Sequence, residues 1–183
     1  MQMKKILSML LLICSMIAIS GTARAQSASS ILQAAEKKAA AENKHVLVIF
    51  HASWCYWCHK MDTAMNDPVC KDYFQKNYVI THLTVAENDT IKHPNTPGAQ
   101  ELMDRYYGAG LGIPYWLIFD KDGNMVADSK IRTPDQAEAQ GDNIGCPASE
   151  AEVDAFIVKL KKTSVLSNDQ AEAIRKRFRQ NEH

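Results

Sequence analysis

Cys55-Tyr56-Trp57-Cys58 carries the most specific chemistry in this chain. The apolar, β-branched run His45 to His51 (HVLVIFH) precedes it, and Cys55 to Asn66 has helical character. The pair therefore falls where a buried strand passes into a helix. The unpaired N–H groups and positive dipole end of a helix start stabilise a thiolate. Sulfurs at this spacing can close a reversible bridge; in exchange, the first cysteine attacks and the second resolves the mixed disulfide. Cys55 is the expected nucleophile and Cys58 the expected resolving thiol. With His59 the run also reads C-x-x-C-H, the attachment pattern of a c-type haem with His59 as axial ligand. A haem-attachment motif normally follows helix rather than a buried strand, which favours the dithiol. A redox-inert binding module is the third alternative; an intact pair of reactive thiols, otherwise a liability, argues against it.

The neighbouring groups have narrower roles. His59 either tunes the nearby thiol as an imidazolium or stays solvated on the helix surface. Tyr56 and Trp57 place two large rings between the cysteines, where they can dock apolar segments or pack against adjacent loops. Cys70 and Cys146 could form a second bridge if their Cα atoms lie within about 7 Å. Otherwise Cys70 is expected as a buried free thiol and Cys146, before Pro147, as an exposed one. Neither a paired CxxC nor an HxxxH spacing occurs, so no metal site is expected.

The elements around the motif are legible from pattern. Ser29 or Ser30 can cap a helix through about Asn43. After the helix at Cys55 to Asn66, Pro68 opens another to about Lys76, and Tyr78 to Val85 reads as a strand. Ala86 to Pro97 is a polar loop, and Gln100 to Tyr107 is helical, ended by Gly108, Gly110 and Gly112. Pro114 opens the strand Tyr115 to Asp120; Lys121-Asp122-Gly123-Asn124 signals a hairpin returning at Met125 to Asp128. Residues 129–147 form an irregular insert. Ser149 with Glu152 makes a capping box for a helix to about Lys162, and Ser167 caps a last helix to about Gln180. That last helix puts Ala171, Ile174 and Phe178 on one face. A strand-helix-strand start favours a parallel pair, and the hairpin adds antiparallel strands, giving a mixed sheet covered on both faces.

Of 183 residues, 46% are hydrophobic and 23% charged, with 21 basic residues against 21 acidic. This is globular composition, and it gives no electrostatic case for nucleic acid or an anionic membrane. Residues 1–25 read as a cleaved secretory signal: Lys4 and Lys5, the apolar run Ile6 to Ile19, then Ala23-Arg24-Ala25. The run is short of the roughly 20 residues that span a bilayer, so no stable membrane insertion is expected after cleavage. Cys14 follows Leu12-Ile13 rather than the small residues of a lipidation site. Cleavage leaves 158 residues with 18 basic and 21 acidic groups, a formal charge of −3, and four cysteines. Residues 26–183 are expected to form one domain with a helical extension over about 165–183. In the oxidising compartment that receives exported proteins, a thiol pair is either a structural bridge or a working couple.

Two stretches resemble the thioredoxin superfamily. VLVIFHASWCYWC (Val46 to Cys58) is similar to its strand and W-C-x-x-C site, and LGIPYWLIFDKDG (Leu111 to Gly123) to its cis-proline and hairpin. The tail C-H-K-M-D (Cys58 to Asp62) is similar to a subgroup with C-x-W-C-H-x-M-[DE]. The resemblance implies a thioredoxin-like three-layer α/β fold, with a mixed central sheet of about four to five strands and helices on both faces. It also implies a cis Ile113–Pro114 bond, with the Ile113 backbone pairing to an extended substrate in a groove lined by Trp54, Tyr56, Trp57, Ile113 and Pro114. The implied activity is thiol–disulfide exchange with protein thiols and disulfides, served by an electron donor or acceptor and needing no dissociable cofactor. Two departures stand out: Ile49 where thioredoxins usually bury an aspartate, and Tyr-Trp in place of Gly-Pro.

Overall fold

A computed structural model describes residues 25–182. Apart from Ala25, the expected secretory segment lies outside the described residues. The organising strand is β1 (His45–His51). Its side chains alternate, so Val46, Val48 and Phe50 enter one buried cluster while Leu47 and Ile49 enter the other. A strand apolar on both faces belongs in the interior of a sheet, and the order β2-β1-β3-β4 puts it there.

Strand β2 (Tyr78–Thr84) runs parallel to β1, with His45 opposite Tyr78 and His51 opposite Thr84. On the other side β3 (Tyr115–Phe119) runs antiparallel, pairing Val46 with Phe119 and Phe50 with Tyr115. The edge strand β4 (Met125–Asp128) returns from the expected hairpin. Asp120 closes that turn by accepting the Asp122 and Asn124 N–H groups, each at 2.9 Å. Gly123 sits there at φ +82°, which glycine adopts without a Cβ penalty.

Helices α1 (Ala28–Glu42) and α4 (Ala99–Arg105) cover one sheet face through Ala35, Ala39, Leu102 and Met103. Helices α2 (Tyr56–Met65), α3 (Lys71–Asn77), α5 (Glu150–Thr163) and α6 (Asn168–Arg179) cover the other. The result is the three-layer thioredoxin-like arrangement, with four strands in the main sheet. The second face centres on aromatic contacts: Phe156 lies 5.1 Å from Phe178, 5.4 Å from Trp116 and 6.2 Å from Phe74. Ala171, Ile174 and Phe178 of α6 are all buried in this cluster. The expected capping box of Ser149 with Glu152 forms, and the expected cap at Ser167 is itself a box, completed by Gln170.

Three local expectations are corrected. Ser27 caps α1, with its Oγ accepting the Ser30 N–H at 3.2 Å; Ser29 and Ser30 fall inside the helix. The helix expected from Pro68 starts at Lys71, because Asp67 first makes a turn: its side chain takes the Val69 N–H and its carbonyl those of Cys70 and Lys71. The insert is not wholly irregular, since β5 (Lys130–Ile131) and β6 (Asp142–Asn143) pair as a short antiparallel hairpin.

Deleting the Phe156 ring removes the shared contact of Trp116, Phe74 and Phe178. Phe156→Ala is expected to cost about 3–5 kcal/mol in urea unfolding. A loss below about 1 kcal/mol would mean that this cluster does not hold the helical layer.

Candidate active site

Strand β1 ends at His51, Ala52 is fully buried, and a two-residue turn delivers Cys55 as the N-cap of α2. Cys55 adopts extended dihedrals (φ −78°, ψ 99°), and its Sγ accepts the Cys58 N–H at 3.1 Å. Cys55 and Cys58 are joined by a disulfide with S–S 2.08 Å and Cα–Cα 5.3 Å. Both cysteines are nearly closed off, whereas Trp54, Tyr56 and Trp57 around them are 51, 61 and 44% exposed. Thioether attachment of a haem would require each sulfur separately; here the two are bonded to each other.

The turn is held by its polar groups. Both Glu87 carboxylate oxygens engage Ser53, one its N–H and the other its hydroxyl at 2.7 Å. His59 Nε2 donates to the Ser53 carbonyl at 2.8 Å, so every polar group of Ser53 is committed. Trp54 Nε1 donates to the Ala86 carbonyl at 2.9 Å, tying the indole to the loop that carries Glu87. Burial works against the Glu87 charge, but the two Ser53 hydrogen bonds prevail and hold its carboxyl below the usual range.

The second loop approaches from β3. The Ile113–Pro114 peptide is cis, and the Ile113 carbonyl oxygen lies 3.6 Å from Cys55 Sγ. Ala52, Cys55 and Cys58 form a small buried cluster against Ile113. Beyond it opens a groove of about 450 Å³ between Trp57, the Ile113–Pro114 segment and residues 143–146 of the insert. The structure thus brings Cys55, Cys58, Trp57, Ile113 and Pro114 together; of the other two expected groove residues, Tyr56 lines a separate hollow with His59 and Lys60, and Trp54 is exposed beside the Ala86 loop.

Ile49 is buried, as its place in β1 requires, and its partner on β2 is His82. His82 Nε2 lies 2.9 Å from Asp62 Oδ1, and its ring is 5.1 Å from that of His51. Burial first, then the neighbouring His82, pushes the His51 pKa down; Asp62 and Glu87 pull it up. Sequence reasoning did not single out His51, His82, Asp62 or Glu87 as a group. The alternation of β2 is the one signal that puts His82 on the α2 face.

The other two cysteines do not pair. Cys70 and Cys146 are both free, and Cys146 is buried rather than exposed. Asn181, beyond α6, donates to Cys146 Sγ at 3.3 Å and to the Pro147 carbonyl at 3.3 Å, closing that corner. Cys70 lies under the Asp67 turn, where its carbonyl accepts the Phe74 N–H. Burial raises both thiols, Cys70 to about 11 and Cys146 to about 12, so neither is an active nucleophile near neutral pH. Among the described residues, no three His, Cys, Asp or Glu side chains gather as a metal site. Nor is any described helix long and apolar enough to cross a membrane.

The His51 environment has a readable consequence. A histidine whose folded pKa is depressed contributes stability above its unfolded value, about 6.5, and loses it as pH falls through the folded value. His51→Gln is expected to flatten the decline in urea-unfolding stability between about pH 7 and pH 5, with a remainder from His45, whose pKa burial also lowers. An unchanged decline would exclude His51 as its source.

Residues 32–139 match a family model described as a thioredoxin-like domain. Among solved structures, the chain is similar to a disulphide isomerase from Xylella fastidiosa Temecula1, at 18% identity and a TM-score of 0.45, covering 61% of this chain and 77% of that one. It is also similar to the C-terminal domain of Neisseria meningitidis DsbD in its oxidised form (20% identity, TM-score 0.44, 77% of this chain and 100% of that one). A thioredoxin from Thermus thermophilus is 22% identical, with a TM-score of 0.39, over 63% of this chain and 75% of its own. No curated protein matches the sequence.

Proposed function

As the chain belongs to the thioredoxin-like domain family, we propose that Cys55 and Cys58 exchange disulfides with protein substrates, which makes it a thiol–disulfide oxidoreductase. One observation carries this reading: two sulfurs joined at the first turn of α2, with Cys55 Sγ accepting a helix N–H. The dipole end and that N–H favour the thiolate, the nucleophilic form, over the thiol.

In the reductive direction the Cys55 thiolate attacks one sulfur of a substrate disulfide. A Cys55–substrate bond forms and the first substrate thiolate leaves, taking up a proton. Cys58 then gives up its proton and attacks the Cys55 sulfur, and the second substrate thiolate departs. The substrate gains two electrons, and the Cys55–Cys58 disulfide of this structure is the product. Oxidation of substrate runs the steps backwards. The sulfurs carry all the electrons, so no dissociable cofactor enters; an electron donor or acceptor must reset the couple. Trp57 faces Ile113 and Pro114 across the groove, and the exposed Trp54 and Tyr56 add amphipathic docking surface on either side of Cys55. His59 acts as a brace for the turn through Ser53.

Cys58→Ser is expected to accumulate mixed disulfides through Cys55, detectable as thiol-sensitive adducts on non-reducing gels, while Cys55→Ser forms none. Absence of adducts with Cys58→Ser would sink the turnover mechanism, and function undiminished in the double variant would leave a redox-inert binding module. The potential of the couple assigns direction: a value near −270 mV makes the protein a reductase, and one near −120 mV an oxidant.

Export to an oxidising compartment, periplasmic or extracellular, is part of the same reading and is supported by the Lys4–Ala25 pattern. Protein recovered from that compartment is expected to begin at Gln26 by N-terminal sequencing; a Met1 start there would refute cleavage.

A further inference from the structure

We propose that Asn143 of β6 is a positioning residue for polypeptide substrates: it occupies one edge of the Gly112–Pro114 segment and thereby keeps the opposite edge, beside Cys55, open to an extended chain. The inference rests on the disulfide-exchange reading above.

The observation is a pair of hydrogen bonds from one amide. Asn143 Nδ2 donates to the Gly112 carbonyl at 2.7 Å and to the Pro114 carbonyl at 3.1 Å, straddling Ile113. Its Oδ1 accepts the Gly145 N–H at 3.1 Å, which fixes the amide's orientation. The carbonyl between the two, that of Ile113, is instead 3.6 Å from Cys55 Sγ. The insert therefore satisfies the two flanking acceptors, and the acceptor left beside the sulfur is the one an added strand would use.

The hairpin that presents Asn143 is itself anchored. Lys130 is buried, with Nζ donating to the Tyr107 and Ala139 carbonyls at 3.2 Å each. Ile144 donates its N–H to the Ser129 carbonyl, and Trp116 Nε1 donates to the Gly145 carbonyl at 2.9 Å. The same segment walls the groove opposite Trp57. The occupant that uses both an open backbone edge and a groove is an extended polypeptide bearing a disulfide. A small disulfide needs neither.

The test compares two substrates on the full mature chain: insulin, reduced with dithiothreitol as donor, and the small aromatic disulfide dithiobis(nitrobenzoate). Asn143→Asp keeps the size and the Gly145 contact but replaces both donors by an oxygen. It is expected to raise KM for insulin about tenfold, with kcat within about twofold and the rate with the small disulfide unchanged. Asn143→Ser, whose hydroxyl stops one bond short of both carbonyls and adds no charge, is expected to show the same split and covers the case of a poorly folding aspartate variant. An unchanged insulin KM, or equal losses on both substrates with a lowered Tm, overturns the proposal while the exchange reading stands. Wild-type protein inert toward both disulfides overturns the exchange reading and this inference together.

Discussion

Cys55 Sγ accepts the Cys58 N–H at the start of α2, a place for which serine, threonine, asparagine and aspartate oxygens are the preferred caps. The rest of the structure serves to put a sulfur in that place. Strand β1 is apolar on both faces and so is pinned within the sheet, which fixes where its C-terminal end emerges. The turn between strand and helix has little freedom, because Ser53 is held by Glu87 and His59 and Trp54 by the Ala86 carbonyl. A cap of this kind is sensitive to its own chemistry. As a thiolate it brings negative charge to the dipole end, an interaction worth about 0.3–2 kcal/mol, and as a disulfide sulfur it brings none. The helix start therefore discriminates between the oxidised and reduced states of the residue that caps it.

Much of this was legible in the sequence where the signal is local. The run HVLVIFH, the Lys121–Asn124 turn, the box at Ser149 and the cap at Ser167 are short-range patterns, and each formed where its residues stand. Local signals also mislead locally: three serines compete for one cap at residues 27–30, and Asp67 delays a helix that Pro68 would otherwise open. What stayed hidden are contacts between distant segments. Glu87 reaches Ser53 across 34 positions, Asn143 reaches Gly112 across 31, and Asn181 buries Cys146 across 35. No periodicity encodes such pairs, because each depends on which loops the finished sheet brings to one end. Ile49 illustrates the same limit: the apolar residue is visible in the sequence, but the Asp62–His82 pair flanking it is visible only once β2 lies beside β1.

The insert changes the character of the groove. Without residues 129–147 the Ile113–Pro114 segment would be covered on the dithiol side, where Ile113 packs on Ala52, Cys55 and Cys58, and open on the other. With them it lies between two walls, and its carbonyls divide between those the protein satisfies and the one facing the sulfur. The ion pairs of Asp128 with Arg132 and Lys159 sit at the root of this insert, so its base is tied to α5 as well as to the sheet.

Trp116 joins two regions with different duties. Its ring packs on Phe156 in the interior, while its Nε1 holds the Gly145 carbonyl at the groove wall. Slackening of the aromatic interior, by heat or by a lesion far from the sulfurs, would thus be transmitted along one indole to the wall of the groove beside Pro114.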